Sequence, residues 1–224
     1  MTPDHLASDH ATTLAHDRAR AVALAPQSVS RETWSRLDRL VTLVVERQQH
    51  MNIIAPSTIP QIWTRHVADS LQLLPLAPGA LRWVDLGSGA GFPGLAIACA
   101  LTGTPGAEVH LVESTQKKAA FLSEATRELG LPVVVHPIRI EDFAAKNQIR
   151  FDVVTARALA PLPKLLGYAI PLLKTGAVGL FPKGQDVEAE LTEASKYWNI
   201  RAELVPSTTD PRGRIVVLRR ATRR

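Results

Sequence analysis

The chain has 224 residues, 46% of them apolar and 21% charged, with a formal net charge of +5 and a pI of about 9.7. That length supports one sizeable core with an appendage, and the positive balance suits a polyanionic partner. The lone cysteine, Cys99, excludes an intrachain disulfide and a cysteine-cluster metal site. Apolar runs fall far short of a membrane span, and the start of the chain, with Asp4, His5, Asp9 and His10, lacks a charged-then-apolar leader pattern, so a cytoplasmic protein without membrane contact is expected.

Residues 1–79 read as a helical region. An alanine-rich stretch, Leu6 to Leu24, ends before Pro26. Ser30 is placed to cap a helix carrying Trp34, Leu37, Leu40, Val41, Val44 and Val45 at three- and four-residue spacing. Thr58 is expected to cap a third helix, with Pro60 in its first turn and Ile62, Val67, Leu71 and Leu74 on one face. Pro75, Pro78 and Gly79 close the region.

From residue 80 to 224 the pattern alternates. Strands are expected at Leu81–Leu86, Glu108–Glu113, Val133–His136, Phe151–Thr155 and Gly176–Phe181, with helices at Pro93–Leu101, Thr115–Leu129 and Leu162–Leu173 between them. Gly130 and Pro132 stop the second of these helices. Such alternation implies a parallel sheet covered on both faces. After a helix at Asp186–Trp198, two further strand-like runs, Arg201–Val205 and Ile215–Leu218, flank a turn-rich loop and imply an antiparallel end. A mostly parallel sheet of seven strands with an antiparallel terminal strand, preceded by helices, is the expected architecture.

The first strand runs into Asp85-Leu86-Gly87-Ser88-Gly89-Ala90-Gly91-Phe92-Pro93-Gly94 and then an apolar helix. Glycines there let the backbone approach a ligand closely, and the helix start offers free N–H groups. Two cofactors fit. Gly89 to Gly94 satisfies the dinucleotide fingerprint, while Asp85 with Gly87, Gly89 and Gly91 has the spacing used for S-adenosyl-L-methionine (SAM). Asp85 favours SAM, because a carboxylate can hold its ammonium but would repel a pyrophosphate. Glu113 ends the second strand about 20 residues beyond Gly94, the offset at which an acid meets the ribose hydroxyls in dinucleotide folds, and SAM carries the same ribose.

Other residues stand where ligands meet open α/β sheets. Arg157 lies just past the fourth strand and Lys183 past the fifth, at the carboxyl edge. Arg65, His66 and Asp69 share one helical face. Lys117 and Lys118 open the second helix of the alternating region, against its macrodipole, which hints at an anionic partner. After Asp210 come Arg212, Arg214, Arg219, Arg220, Arg223 and Arg224 with no acid, a terminus suited to phosphates or simply solvated. His5, His10, His16, His50, His110 and His136 show no metal-ligand spacing, and no metal is expected.

The chain resembles the bacterial ribosomal RNA small-subunit methyltransferase G family. The resemblance rests on the Asp85–Gly94 segment with its Phe-Pro-Gly, on Arg65-His66 with Asp69-Ser70-Leu71, on Val112-Glu113-Ser114 with Lys117-Lys118 and Phe121-Leu122, on Ala156-Arg157-Ala158, and on Pro182-Lys183-Gly184-Gln185. It implies a Rossmann-like class I SAM-dependent methyltransferase that methylates N7 of one guanine in the decoding-region loop of 16S ribosomal RNA, acting on that RNA or the small subunit, with no obligate protein partner. It further implies that Asp85, Gly87, Gly89, Gly91 and Phe92 form the SAM site, that Glu113 takes the ribose, that Ile140 and Glu141 meet the adenine, and that Arg157 lies in the SAM site as a cofactor-binding residue and faces the target as a positioning residue. Arg65, His66, Lys117, Lys118, Lys183, Arg219 and Arg220 are its expected RNA contacts. The sequence departs from the family in Asn52-Ile53-Ile54-Ala55, where a threonine is usual, and in Ala156, where a serine is. Two alternatives stay open: a nicotinamide-dependent oxidoreductase on the same glycine turn, and a non-catalytic RNA-binding module.

Overall fold

The structure is a computed structural model that describes residues 3–174 and 176–224, with side chains from residue 12 onward. Two long helices open it, α1 (Pro3–Leu24) and α2 (Arg31–Gln48). The Ser30 hydroxyl accepts the Thr33 N–H at 3.2 Å, the expected cap of α2.

The third helix departs from expectation. Thr58 caps no α-helix. It sits inside a 3-10 turn, Pro56–Gln61, followed by a π-helical segment, Trp63–Ala68, that tightens into the short α3 (Asp69–Leu71). Asp17 of α1 supplies the missing cap: its Oδ2 accepts the N–H groups of Trp63 (2.8 Å) and Thr64 (3.2 Å), and its Oδ1 accepts the Thr64 hydroxyl at 2.6 Å. The pattern of apolar residues survives the change, with Ile62, Val67 and Leu71 fully buried.

A seven-stranded sheet follows, β1 (Arg82–Leu86), β2 (Glu108–Val112), β3 (Val133–His136), β4 (Val153–Thr155), β5 (Val178–Lys183), β6 (Trp198–Pro206) and β7 (Arg214–Arg223), in the order β3-β2-β1-β4-β5-β7-β6. β7 alone runs antiparallel to its neighbours, as the sequence implies, and is inserted between β5 and the edge strand β6. Helices α4 (Gly94–Leu101) and α5 (Gln116–Leu129) cross over between the first strands, α5 ending on Gly130 in the left-handed region at φ +60°. A short helix that the sequence reading leaves as loop, α6 (Ile140–Lys146), follows β3; α7 (Leu162–Leu173) and α8 (Val187–Ala194) complete the set. The last helix is shorter than expected because Trp198 already belongs to β6, and β7 extends through Arg223, so most of the basic terminus is strand rather than tail.

Alternate residues of β1 feed two cores. Trp83 packs with the helices of residues 1–79 and with α4 and α5, whereas Val84 and Leu86 pack with α6, α7 and α8. One continuous core therefore joins Leu37, Val44, Trp63 and Leu71 to Val109 and Leu111 of the sheet. Among the described residues no helix is long and apolar enough to cross a membrane.

Asp17 belongs to no sequence motif, yet it carries three hydrogen bonds at a buried helix start. Asp17→Ala leaves those donors unsatisfied and is expected to cost about 1–3 kcal/mol in urea unfolding; a cost within 0.5 kcal/mol of wild type would show that the cap is dispensable.

Candidate functional site

The carboxyl ends of β1, β2, β4 and β5 open into two adjoining cavities. The larger, about 860 Å³, lies between the sheet edge and the π-helical segment. The smaller, about 280 Å³, lies over the ends of β2 and β3. Gly87, Gly89, Lys118, Ala158 and Leu159 line both.

The glycine turn makes the common wall. Gly87 and Gly89 adopt φ of +70° and +55°, which L side chains rarely do. Gly91 has φ +92° but faces inward, where a Cβ would meet Leu95 and Leu122. It therefore serves close packing behind the turn, not the cavity surface. Gly94 begins α4 so near β1 that a Cβ would lie 2.2 Å from Leu111 and 3.0 Å from the Asp85 carboxylate.

Asp85 is 1% exposed. Its Oδ2 accepts the Gly94 N–H at 3.3 Å, while its Oδ1 has no hydrogen-bond partner. Burial pushes the carboxyl up to about 7 against the opposing pull of its hydrogen bonds and Arg157. Glu113 sits on the wall of the smaller cavity with both oxygens fastened by backbone donors, Oε2 by Gly89 N–H (3.0 Å) and Oε1 by Thr115 N–H (2.7 Å). Each oxygen keeps a lone pair for a further donor. Ile140 and Glu141, at the start of α6, line the same cavity; Asp142 does not.

Arg157 holds the far wall of the larger cavity. Its Nη1 donates to the Arg65 carbonyl at 2.8 Å, its Nη2 to His66 Nδ1 at 2.5 Å, and Asp69 lies 3.6 Å away. The guanidinium also stands 6.0 Å from the Phe92 ring centre, against which His66 packs at 5.2 Å. A salt bridge to Asp152 or Glu141 does not form; the Asp152 carboxylate instead accepts the N–H groups of Leu81 and Arg82. Because neutral His66 accepts a hydrogen bond from Arg157 at Nδ1, its Nε2 carries the ring hydrogen and donates to the Thr58 hydroxyl (2.8 Å), which donates to the Ala55 carbonyl (2.7 Å). A one-way chain of donors thus runs from Arg157 to Ala55. Ala158 beside Arg157 adopts φ +52°, a strained conformation for a non-glycine residue.

The loop between β6 and β7 closes this side. Gln72 accepts the Thr208 N–H at 2.8 Å, Thr209 donates to Asp69 at 2.7 Å, and Arg65 pairs with Asp210 at 3.0 Å. Turn chemistry marked 207–213 as a loop, but nothing in the sequence linked it to Gln72.

Of the expected RNA contacts, Arg65, His66, Lys118 and Lys183 line the larger cavity, His66 as a neutral ring. Lys117 is exposed beside it. The Lys183 ammonium is already engaged, donating to Glu190 and to the Ala160 carbonyl, both at 2.7 Å, so it is a brace between β5, α7 and α8 before it is a phosphate contact. Arg219 and Arg220 are not brought to the cavity: β7 sets Arg214 against Lys183 at the carboxyl edge and Leu218 against Gly179 at the opposite one. His110 and His136, distant in sequence, stack on neighbouring strands with 2.8 Å between Nδ1 and Nε2. Cys99 is buried in α4 and its thiol is pushed up to about 12 by burial, which suits a core residue and not a nucleophile.

Known proteins are similar to this chain in sequence and in fold. The profile of the family described as rRNA small subunit methyltransferase G matches residues 33–214. A protein named ribosomal RNA small subunit methyltransferase G from Bradyrhizobium sp. (strain BTAi1) is 59% identical over 92% of this chain and 91% of its own. One of the same name from Rhodopseudomonas palustris (strain BisB5) is 52% identical over 96% and 89%. In fold, the chain is similar to an O-methyltransferase from Bacillus cereus solved with SAH (TM-score 0.59, 15% identity, 94% of this chain and 100% of that one) and to TomG of Streptomyces achromogenes solved with SAM (TM-score 0.57, 16% identity, 92% and 97%).

Burial and the Arg157 and Arg65 charges push His66 down to about 3. The unfolded chain takes up a proton there near pH 6.5, the folded protein only near 3, so stability is lost as pH falls through that window. By pH 5 the loss is about 2 kcal/mol. His66→Gln removes this contribution, and urea unfolding at pH 7 and pH 5 should show the variant less acid-sensitive by that amount; an unchanged difference would mean that His66 titrates freely.

Proposed function

The chain belongs to the rRNA small subunit methyltransferase G family, and from that premise we propose that it transfers a methyl group from SAM to N7 of a single guanine in the decoding-region loop of 16S ribosomal RNA. The observation that carries the reading is Glu113, an acid fixed by the N–H groups of Gly89 and Thr115 on the wall of a cavity beside the glycine turn. Its free lone pairs suit the paired hydroxyls of a ribose. Asp85 adds a second fit: a buried carboxylate oxygen with no partner is what an ammonium would satisfy. Ile140 supplies an apolar surface for a purine, and Glu141 acceptors for its edge.

SAM supplies an electrophilic methyl on a sulfonium. N7 of guanine carries an exposed lone pair and no proton at neutral pH, so no general base is needed. The work left to the protein is alignment. Arg157 is held by Arg65, His66 and Asp69 at the cavity wall, where its remaining N–H groups suit guanine O6 or a phosphate. It would not stabilise the cationic product, so positioning is its role. Arg65 and Lys118 are the cations around the same opening that would meet RNA phosphates. With the family shown, the nicotinamide reading of the glycine turn falls away.

The first test is methyl transfer from labelled SAM to small subunits and to free 16S RNA that lack the modification, with chemical cleavage at N7-methylguanine. Label confined to one guanine is expected; label at another atom or at scattered sites would overturn the assignment.

The cofactor site is tested by calorimetric titration with SAM. Glu113→Ala is expected to weaken binding by about 1.5–3 kcal/mol. Since Asp85 ionises near pH 7, affinity should rise between pH 6 and pH 8 by about tenfold, and Asp85→Asn should abolish that slope; a pH-independent wild type would remove Asp85 from the ammonium role.

A further inference from the structure

The ladder between β5 and β7 ends at Gly179 and Leu218, but β6 and β7 continue past it as a two-stranded ribbon, pairing Arg201 with Arg220, Ile200 with Ala221, Asn199 with Thr222 and Trp198 with Arg223. The register shifts between Arg201 and Ala202, which leaves Arg219 as the extra residue of a bulge. Ile200, Ala221 and Trp198 pack on the core beneath α6, α7 and α8. The alternate residues, Asn199, Arg201, Arg220, Thr222 and Arg224, are all exposed, as is Arg219. Arg224 donates across the ribbon to the Asn199 side chain at 3.1 Å.

Two arginines set directly opposite each other, with a third beside them in the bulge, repel. Among the described residues none of Arg201, Arg219, Arg220, Arg223 and Arg224 has a carboxylate at ion-pair distance. A row of guanidinium forks interleaved with an amide and a hydroxyl, with Glu203 two residues along β6 from Arg201 but no carboxylate at ion-pair distance, matches a phosphate backbone. At about 3.3 Å per residue, Arg220 stands about 20 Å along β7 from Arg214 at the cleft.

We propose that this ribbon is a second anchoring surface for ribosomal RNA, gripping phosphates outside the target loop about 20 Å along β7 from the cleft edge at Arg214. The inference rests on the RNA-methyltransferase reading but concerns grip, not chemistry. Its test compares equilibrium binding of two RNAs, a hairpin confined to the target loop and a long 16S transcript, over a range of salt. The triple variant Arg201→Gln, Arg220→Gln, Arg224→Gln is expected to bind the hairpin as wild type does. It should bind the long transcript at least tenfold more weakly, with a log–log salt slope shallower by about 2–3, as loss of three phosphate contacts implies. The corresponding triple lysine variant keeps the charge and should keep the slope. Equal weakening on both RNAs, or none on either, would overturn the proposal. Failure of the wild type to methylate any RNA would instead sink the functional reading and leave this binding comparison to judge the ribbon alone.

Discussion

The Arg157 guanidinium lies between the carboxyl edge of the sheet and the π-helical segment, and a cation so enclosed persists only if its donors and its charge are met. The Arg65 carbonyl and His66 Nδ1 take two of its N–H groups, and the Asp69 carboxylate and the Phe92 ring face meet its charge. Burial nonetheless lowers its affinity for the proton below the usual arginine value. His66 can serve as acceptor only while neutral, and burial together with the surrounding positive charge keeps it so. The helical region and the sheet are thus joined at the functional cleft by a set of mutually dependent groups. The same region is joined below by shared core and above by the 207–213 loop gripping Gln72 and Asp69.

That arrangement explains why the cleft is shaped before any ligand arrives. Glu113 is aimed by two backbone donors, and Asp85 is held under Gly94. Both carboxylates spend their best hydrogen bonds on the protein's own backbone, which fixes their direction and leaves spare acceptor capacity. A small residue at 94 is a steric requirement, since a larger one would push α4 away from β1 and take the Asp85 contact with it. Preorganisation of this kind is what the proposed transfer, which rests on alignment, needs.

Much of the fold was legible because its signals are local. Ser30 caps where a serine before an amphipathic run should, Gly130 ends α5 in the left-handed region, and the strand–glycine–helix unit and the acid beyond it fall where the spacing puts them. The misses have a common cause in partners that belong to another element of the chain. Thr58 looked like a cap because its spacing to an apolar face was right, yet Asp17 caps that segment and Thr58 serves His66. Lys183 looked free for phosphate because Glu190 comes from the following helix. The basic terminus looked like a tail because its short apolar run, Ile215–Leu218, hid that the ladder with β6 continues to Arg223. The glycines were recognised as a group, but only the geometry separates those that face the cavity from Gly91, which faces the core.

The place of β7 has a consequence for biosynthesis. β6 leaves the ribosome before the strand that must lie between it and β5, so it emerges as an edge with no partner on either side. Until residues 214–223 follow, the loop that grips Gln72 has no second anchor, and Arg214 and Ile215 are missing from the cleft wall. The first five strands can pair in order as they are made, but the site stays open on one side. Vectorial synthesis therefore gives this protein an interval in which its parallel sheet exists and its binding cleft does not.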